Sequence, residues 1–199
     1  MFSGRSVILV MVALGAVLLA GYEFVRRSAM PHGVSEVKDL GDENTFDRIY
    51  TIDGTRYHVG VGKGERGKPV GTVSVAQLAD DGTNASSIIR PRHGPIREAF
   101  FLEVEQSGPP SVVVIIEESL ESKSAGGLVF TLTDGEWEAR PLGPLPEELE
   151  SRYIGHDEFE QQGAFLYRTV RLEGRIDGDD PVDQQLFYDW RQHRWQIAT

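Results

Sequence analysis

An all-β domain, an antiparallel sandwich or barrel of about eight strands behind one N-terminal transmembrane helix, follows from three features of this 199-residue chain. Short runs alternate apolar and polar residues. Asp-Gly pairs punctuate those runs, and an uncharged stretch, apolar on every side, stands at the start of the chain. Hydrophobic residues make up 40% of the chain, enough for a packed core. Cysteine is absent, so neither a disulfide framework nor thiolate chemistry is available.

Residues 6–22 (SVILVMVALGAVLLAGY) carry no charge, and about 17 residues is the lower limit for a membrane-spanning helix. Arg5 precedes the stretch, Tyr22 and Phe24 take interfacial aromatic positions, and Arg26 and Arg27 follow. Small residues that would suit a signal peptidase fall in mid-segment (Ala13-Leu14-Gly15) or place Arg27 at −3 (cleavage after Ala29). Tyr22 stands where a lipobox needs cysteine. Residues 1–27 therefore read as an uncleaved signal anchor, 28–45 as a Pro-, Gly- and acid-containing tether, and 46–199 as the β-domain. The expected setting is the bacterial inner membrane, single-pass, with the soluble domain in the periplasm. The flanking Lys/Arg counts do not by themselves orient it.

Charge narrows the partners. Residues 1–27 hold Arg5, Arg26 and Arg27 against Glu23, a net of +2, so the remainder carries −13 of a chain total of −11. A domain this acidic lacks the basic stripe that nucleic acid requires, whereas a basic protein would be drawn to it.

Along the domain, Tyr50 and Ile52 lead into Asp53-Gly54, and Tyr57, Val59 and Val61 follow, the pattern of a hairpin. Residues 112–116 (VVVII) form a continuous apolar run, expected as a central strand buried on both faces. Leu128, Phe130 and Leu132 enter a second Asp-Gly turn at Asp134-Gly135, answered by Trp137 and Ala139. A short helix is expected at Pro146-Glu147-Glu148-Leu149-Glu150, where proline and acids suit a first turn. Leu166, Val170 and Leu172 alternate with polar positions. Leu186, Tyr188 and Trp190 face Trp195 and Ile197 across a polar turn at Gln192-His193.

Motifs for chemistry are sparse. His32, His58, His93, His156 and His193 form neither HExxH nor a close pair, so spacing offers no metal site. There is no GxSxG elbow and no P-loop, and the glycines at 60, 62, 64 and 67 precede no helix. Asp177-Gly178-Asp179-Asp180 resembles a calcium loop, but Pro181 and Tyr188 occupy positions that such a loop reserves for ligands. His156-Asp157-Glu158 gathers an imidazole and two carboxylates at a strand start, where a backbone-capping aspartate is the expected role. No enzyme activity, cofactor or metal is expected.

The stretch Tyr153-Ile154-Gly155-His156-Asp157-Glu158-Phe159 resembles the Y-x-G-H-D-E-F segment of the periplasmic inhibitors of invertebrate-type lysozyme. The surroundings follow in order: Ile52-Asp53-Gly54, the strand VVVIIEES at 112–119, a Ser/Gly-rich stretch, Pro144-Leu145-Pro146, Leu166-Tyr167-Arg168, Gly178-Asp179 and an aromatic final hairpin. The likeness covers roughly residues 46–197. It implies a β-sandwich whose S-G-x-Y loop enters the cleft of a basic lysozyme. Here that loop corresponds to Ser122, Lys123, Ser124, Ala125 and Gly126, with Ser122 implied to hydrogen-bond the partner's catalytic carboxylates. Lys123 replaces the family's glycine and Ala125 its tyrosine. Losing such an aromatic anchor costs about 2 kcal/mol or more at an interface, which weakens the expectation of lysozyme inhibition itself. The resulting expectation is a non-enzymatic envelope binding protein with those five residues toward the partner. The alternative is an anchored scaffold domain contacting another envelope protein.

Overall fold

The computed structural model describes residues 34–42, 45–104, 108–174 and 180–198. The expected membrane segment at 6–22 and residues 177–179 of the acidic loop lie outside the described residues. Among the described residues no helix is long and apolar enough to cross a membrane.

All the strands are antiparallel and fall into three meandering sheets. The first holds β1 (Val34–Asp39), β2 (Asp47–Ile52), β3 (Thr55–Val61), β4 (Gly71–Leu78) and β5 (Asn84–Arg92). The second holds β6 (Ile96–Leu102), β7 (Ser111–Ser119), β8 (Ser124–Thr133) and β9 (Glu136–Pro141). A four-residue helix, α1 (Glu147–Glu150), leads to the third: β10 (Tyr153–Gln162), β11 (Phe165–Leu172), β12 (Val182–Asp189) and β13 (Arg194–Ile197).

Side-chain alternation along β7 explains how the sheets stack. Val112, Val114 and Ile116 join Tyr50, Tyr57, Val59, Val73 and Phe101 in one buried cluster. Val113 and Ile115, pointing the other way, join Leu166, Leu186, Tyr188 and Trp195 in a second. The middle sheet is therefore covered on both faces. Each fully buried aliphatic side chain contributes roughly 1.5–3 kcal/mol, so β7 is the energetic centre of the domain. Aromatic contacts seal both layers: Tyr50–Phe101 at 4.6 Å between centroids on one side, Tyr188–Trp195 at 5.1 Å and 70° on the other.

The expected all-β, antiparallel character stands, with two corrections. Thirteen strands in three sheets occupy the described residues, in place of about eight in one sandwich or barrel. The stretch expected as a tether to residue 45 contains β1, whose Val37 pairs with Tyr50 and Val34 with Ile52. The second discrepancy, and part of the first, comes from edge strands. β1 and β5 bury few side chains, so their alternation is weak and β5 even admits Pro91.

The loop that follows the glycine-rich stretch, residues 68–72, is held by an arginine. Arg92, 2% exposed, donates from Nε to the carbonyl of Thr72 (3.0 Å), from Nη1 to those of Pro69 (2.8 Å) and Gly94 (2.7 Å), and from Nη2 to that of Lys68 (2.9 Å). Glu65 closes the same loop by accepting from the Thr72 amide (2.5 Å) and hydroxyl (3.0 Å). A lysine cannot reproduce this planar fork. Arg92→Lys is expected to cost about 2 kcal/mol and to speed amide exchange across residues 62–72 while the third sheet stays protected.

Candidate functional site

The β7–β8 hairpin closes through a four-residue turn, Leu120-Glu121-Ser122-Lys123, with Lys123 in the left-handed region at φ 52°. The loop expected at 122–126 is thus shorter than the sequence suggested. Ser124 already belongs to β8, Ala125 pairs with Glu117, and Gly126 and Gly127 pair with Ile116 and Ile115. These two strand positions suit glycine because neighbours crowd the place of a β-carbon. A β-carbon on Gly126 would overlap the Glu118 carboxylate, and one on Gly127 would meet Leu142 and the Val114 carbonyl.

β9 ends before it reaches this part of β8, and the segment resembling Y-x-G-H-D-E-F takes its place. Gly155 (φ 96°) and His156 (φ 57°) are consecutive left-handed residues, coinciding with breaks in the β10–β11 register. That local turn aims two successive amides at the hairpin tip. His156 N–H donates to the Ser122 carbonyl (2.8 Å) and Asp157 N–H to that of Lys123 (3.1 Å).

Side chains complete the clamp. Asp157, 1% exposed, accepts the Ala125 amide at Oδ2 (2.6 Å) and a bidentate pair from Arg168: Nε to Oδ1 and Nη2 to Oδ2, both 3.0 Å. The Tyr153 hydroxyl also donates to Asp157 Oδ2 (2.5 Å). Arg168 Nη2 further donates to the Ala125 carbonyl (3.1 Å). The peptide groups around Ala125 are therefore held on both sides, its N–H by a carboxylate and its C=O by a guanidinium. Burial, and after it the Asp157 carboxylate, pushes the Tyr153 phenol upward, so it stays protonated and donates. The Arg168 guanidinium lies 5.5 Å from the Phe159 ring centroid and 5.7 Å from that of Trp195, which accounts for the aromatic end of the motif.

The five residues expected to meet a partner are thereby sorted. Lys123 is exposed, Ser122 and Ser124 are half-buried, and the Ser122 hydroxyl donates to that of Ser124 (3.2 Å). Gly126 lies under Glu118. Ala125 is 1% exposed with its peptide groups engaged, so it serves as the clamp's anchor point and faces no partner. Leu120 was missed. At 75% it is the most exposed of the large hydrophobic residues described, flanked by exposed Glu118 and Glu121. The signal was present as a lone leucine in the polar string Glu-Glu-Ser-Leu-Glu-Ser-Lys.

Of His156-Asp157-Glu158, only Asp157 turns inward, and its lone pairs are occupied by the donors above, so it is not placed to act as a base. A cleft of about 280 Å³ beside the clamp is lined by Glu118, Gly126, Leu142, Leu145, Tyr153 and Arg168. On the outer face of the first sheet, His58 Nε2 lies 2.6 Å from Asp47 Oδ1, with Arg66 at 3.4 Å from Oδ2, a surface charge cluster. Among the described residues no group of three or more His, Asp or Glu side chains converges as a metal site would need.

No family model matches this chain, and no curated protein matches it. Among solved structures, it is similar to a GH43 glycoside hydrolase engineered to display both endo-xylanase and exo-arabinofuranosidase activity. The alignment has 15% identity and a TM-score of 0.27, covering 82% of this chain and 38% of that one.

Proposed function

We propose that this protein is a non-enzymatic envelope binding protein, anchored in the bacterial inner membrane by residues 6–22, that presents the β7–β8 turn to a basic protein partner in the periplasm. The supporting observation is the pre-organised tip. Four backbone and side-chain bonds from β10 and β11 hold residues 122–125, while Leu120 is left outward. A rigid turn with an exposed apolar residue loses little entropy on docking, and that is the usual basis of a strong anchor. Glu118, Glu121 and the −13 charge beyond the anchor favour a cationic target and fast association.

The tip differs from the family it resembles. The family's tyrosine position is the buried Ala125, so apolar contact passes to Leu120. Lysozymes of the i, c and g types are the first basic enzymes to test, by binding and by lysis inhibition with the full chain in detergent. Leu120→Asp is expected to weaken binding about thirtyfold, equivalent to ~2 kcal/mol, without lowering thermal stability. Equal affinity of Leu120→Asp and the parent protein would remove the tip from the interface. The anchor also supports a scaffold reading, in which crosslinking in membranes captures a stable membrane-protein partner at the same turn.

A further inference from the structure

The cleft of about 280 Å³ beside the clamp has two kinds of wall. Leu142, Pro144 and Leu145, on the segment between β9 and α1, form an apolar side with Tyr153. Glu118 near the end of β7 and Glu150 at the end of α1 bring carboxylates to the rim. Both acids are exposed, and neither has a cation within ion-pair distance among the described residues. A cleft this small does not enclose a drug-sized ligand, but it admits one side chain.

Arg168, 7% exposed, also lines the cleft, and the clamp uses only part of its guanidinium. Nε and Nη2 make the bonds to Asp157, Ala125 and Tyr153. Nη1 carries two further N–H donors and has no acceptor among the described residues. It differs from Arg140 Nε and the three indole nitrogens, which also lack acceptors but are closed to solvent. Nη1 is open, and the surface it opens on is this cleft. A buried guanidinium with a spare, reachable donor pair calls for an acceptor. Asp157 already offsets its charge, so that acceptor need not be an anion.

The charges around the cleft discriminate among ligands. A carboxylate placed at Nη1 would face Glu118 and Glu150. An ammonium group held between those acids would face the Nη1 protons. A neutral carboxamide suits every group: its C=O accepts from Nη1, its NH₂ donates toward the two carboxylates, and its methylene stem lies on Leu142 and Leu145.

We propose that this cleft receives the side-chain carboxamide of a glutamine or asparagine from the protein partner. The inference rests on the reading of the β7–β8 turn as the docking element. Glu118, Ala125 and Gly126 of the cleft belong to the hairpin that carries Leu120, so one partner surface spans both. Leu120 supplies the apolar anchor and the cleft supplies selectivity, because a partner residue without the amide leaves the Nη1 donors unpaired once water is excluded.

NMR titration of the methyl-labelled full chain in detergent tests this with the N-acetyl, N-methylamide derivatives of glutamine, asparagine, glutamate, lysine and alanine. Glutamate is the charged isostere of glutamine, lysine its cationic counterpart, and alanine brings the same backbone amides without the carboxamide. The better of the glutamine and asparagine probes is expected to bind at least fivefold more tightly than the other three, shifting the Gly126 amide and the Leu142 and Leu145 methyls. Glu118→Gln combined with Glu150→Gln keeps the shape of the cleft and removes both charges. Its preference for glutamine over glutamate should fall below twofold, with an unchanged melting temperature. Should the double variant melt early, Glu150→Gln alone serves in its place and must still narrow the preference. The proposal is overturned by the absence of saturable shifts at these groups with both carboxamide probes. It is equally overturned by glutamate, lysine or alanine binding as tightly as the carboxamides, or by an undiminished preference in the charge-neutral variant. The probes bypass Leu120, so failure of the cleft and failure of the turn as a docking element are read in separate experiments.

Discussion

Replacing Asp157 by Asn is expected to lower the unfolding free energy by about 3–5 kcal/mol, the range for a buried ion pair broken at one end. Every neighbour of this carboxylate is a donor: the Ala125 amide, the Tyr153 hydroxyl and the Arg168 fork. Asparagine supplies one acceptor oxygen and turns an NH₂ group toward donors, so at least one bond becomes a repulsive contact while Arg168 stays charged and buried. For a domain of this size the change corresponds to a fall in melting temperature of roughly 6–20 °C. Chemical denaturation gives the free energy directly. Amide exchange should speed first at Ala125, His156 and Asp157, and stay slow along β7. Asp157→Leu combined with Arg168→Met should cost less than the sum of the single changes, since removing both charges leaves neither unpaired. A loss below about 1 kcal/mol for Asp157→Asn would mean that the pair is not what holds the third sheet to the hairpin.

Some of this architecture could be read from the chain. The two Asp-Gly turns lie where expected, with left-handed φ at Asp53 and Gly54 (48° and 79°) and at Asp134 and Gly135 (52° and 82°). The final hairpin pairs Tyr188 with Trp195 and Leu186 with Ile197 as the alternation required, and the short helix sits at 147–150. The third layer was misjudged although its signal was recognised. A strand apolar on both faces needs a covering layer on each side, so residues 112–116 already excluded a two-layer sandwich with β7 in it.

The candidate site was only half legible. Asp157 was expected to cap amides at its own strand entry; it accepts instead the Ala125 amide of β8, 32 residues away, and its principal partner, Arg168, was overlooked. Arg168 occupies an inward position between Leu166 and Val170, and a charge at such a position predicts a buried counter-charge. Its identity became visible only with the β10–β11 register, in which Arg168 faces Phe159, two residues along β10 from Asp157. Leu120 was missed because composition alone does not distinguish a turn that carries an exposed leucine from a strand that buries one.

Gly155→Ala is the second change with a large expected effect, about 3–4 kcal/mol, and it separates the clamp from ordinary turn strain. At φ 96° an L-residue loses roughly 1–2 kcal/mol. The added β-carbon would also overlap the Ser122 carbonyl oxygen and lie 3.0 Å from Ser122 Cβ, so β10 must move off the tip. That movement breaks the bonds from His156 and Asp157 to the Ser122 and Lys123 carbonyls, each contributing about 1 kcal/mol. Gly163 is the matched control. It lies at the β10–β11 turn with φ 62° and has nothing within 4 Å of where a β-carbon would stand, so Gly163→Ala should cost only about 1 kcal/mol. The two variants also differ in partner binding. Gly163→Ala leaves the tip pre-organised and its affinity intact, whereas Gly155→Ala frees residues 122–125 and weakens binding while Leu120 remains in place. Equal stability losses in the two variants would show that the close approach of Gly155 to Ser122 contributes nothing. Retained affinity in Gly155→Ala, despite fast exchange at 122–125, would show that the partner does not need a rigid tip.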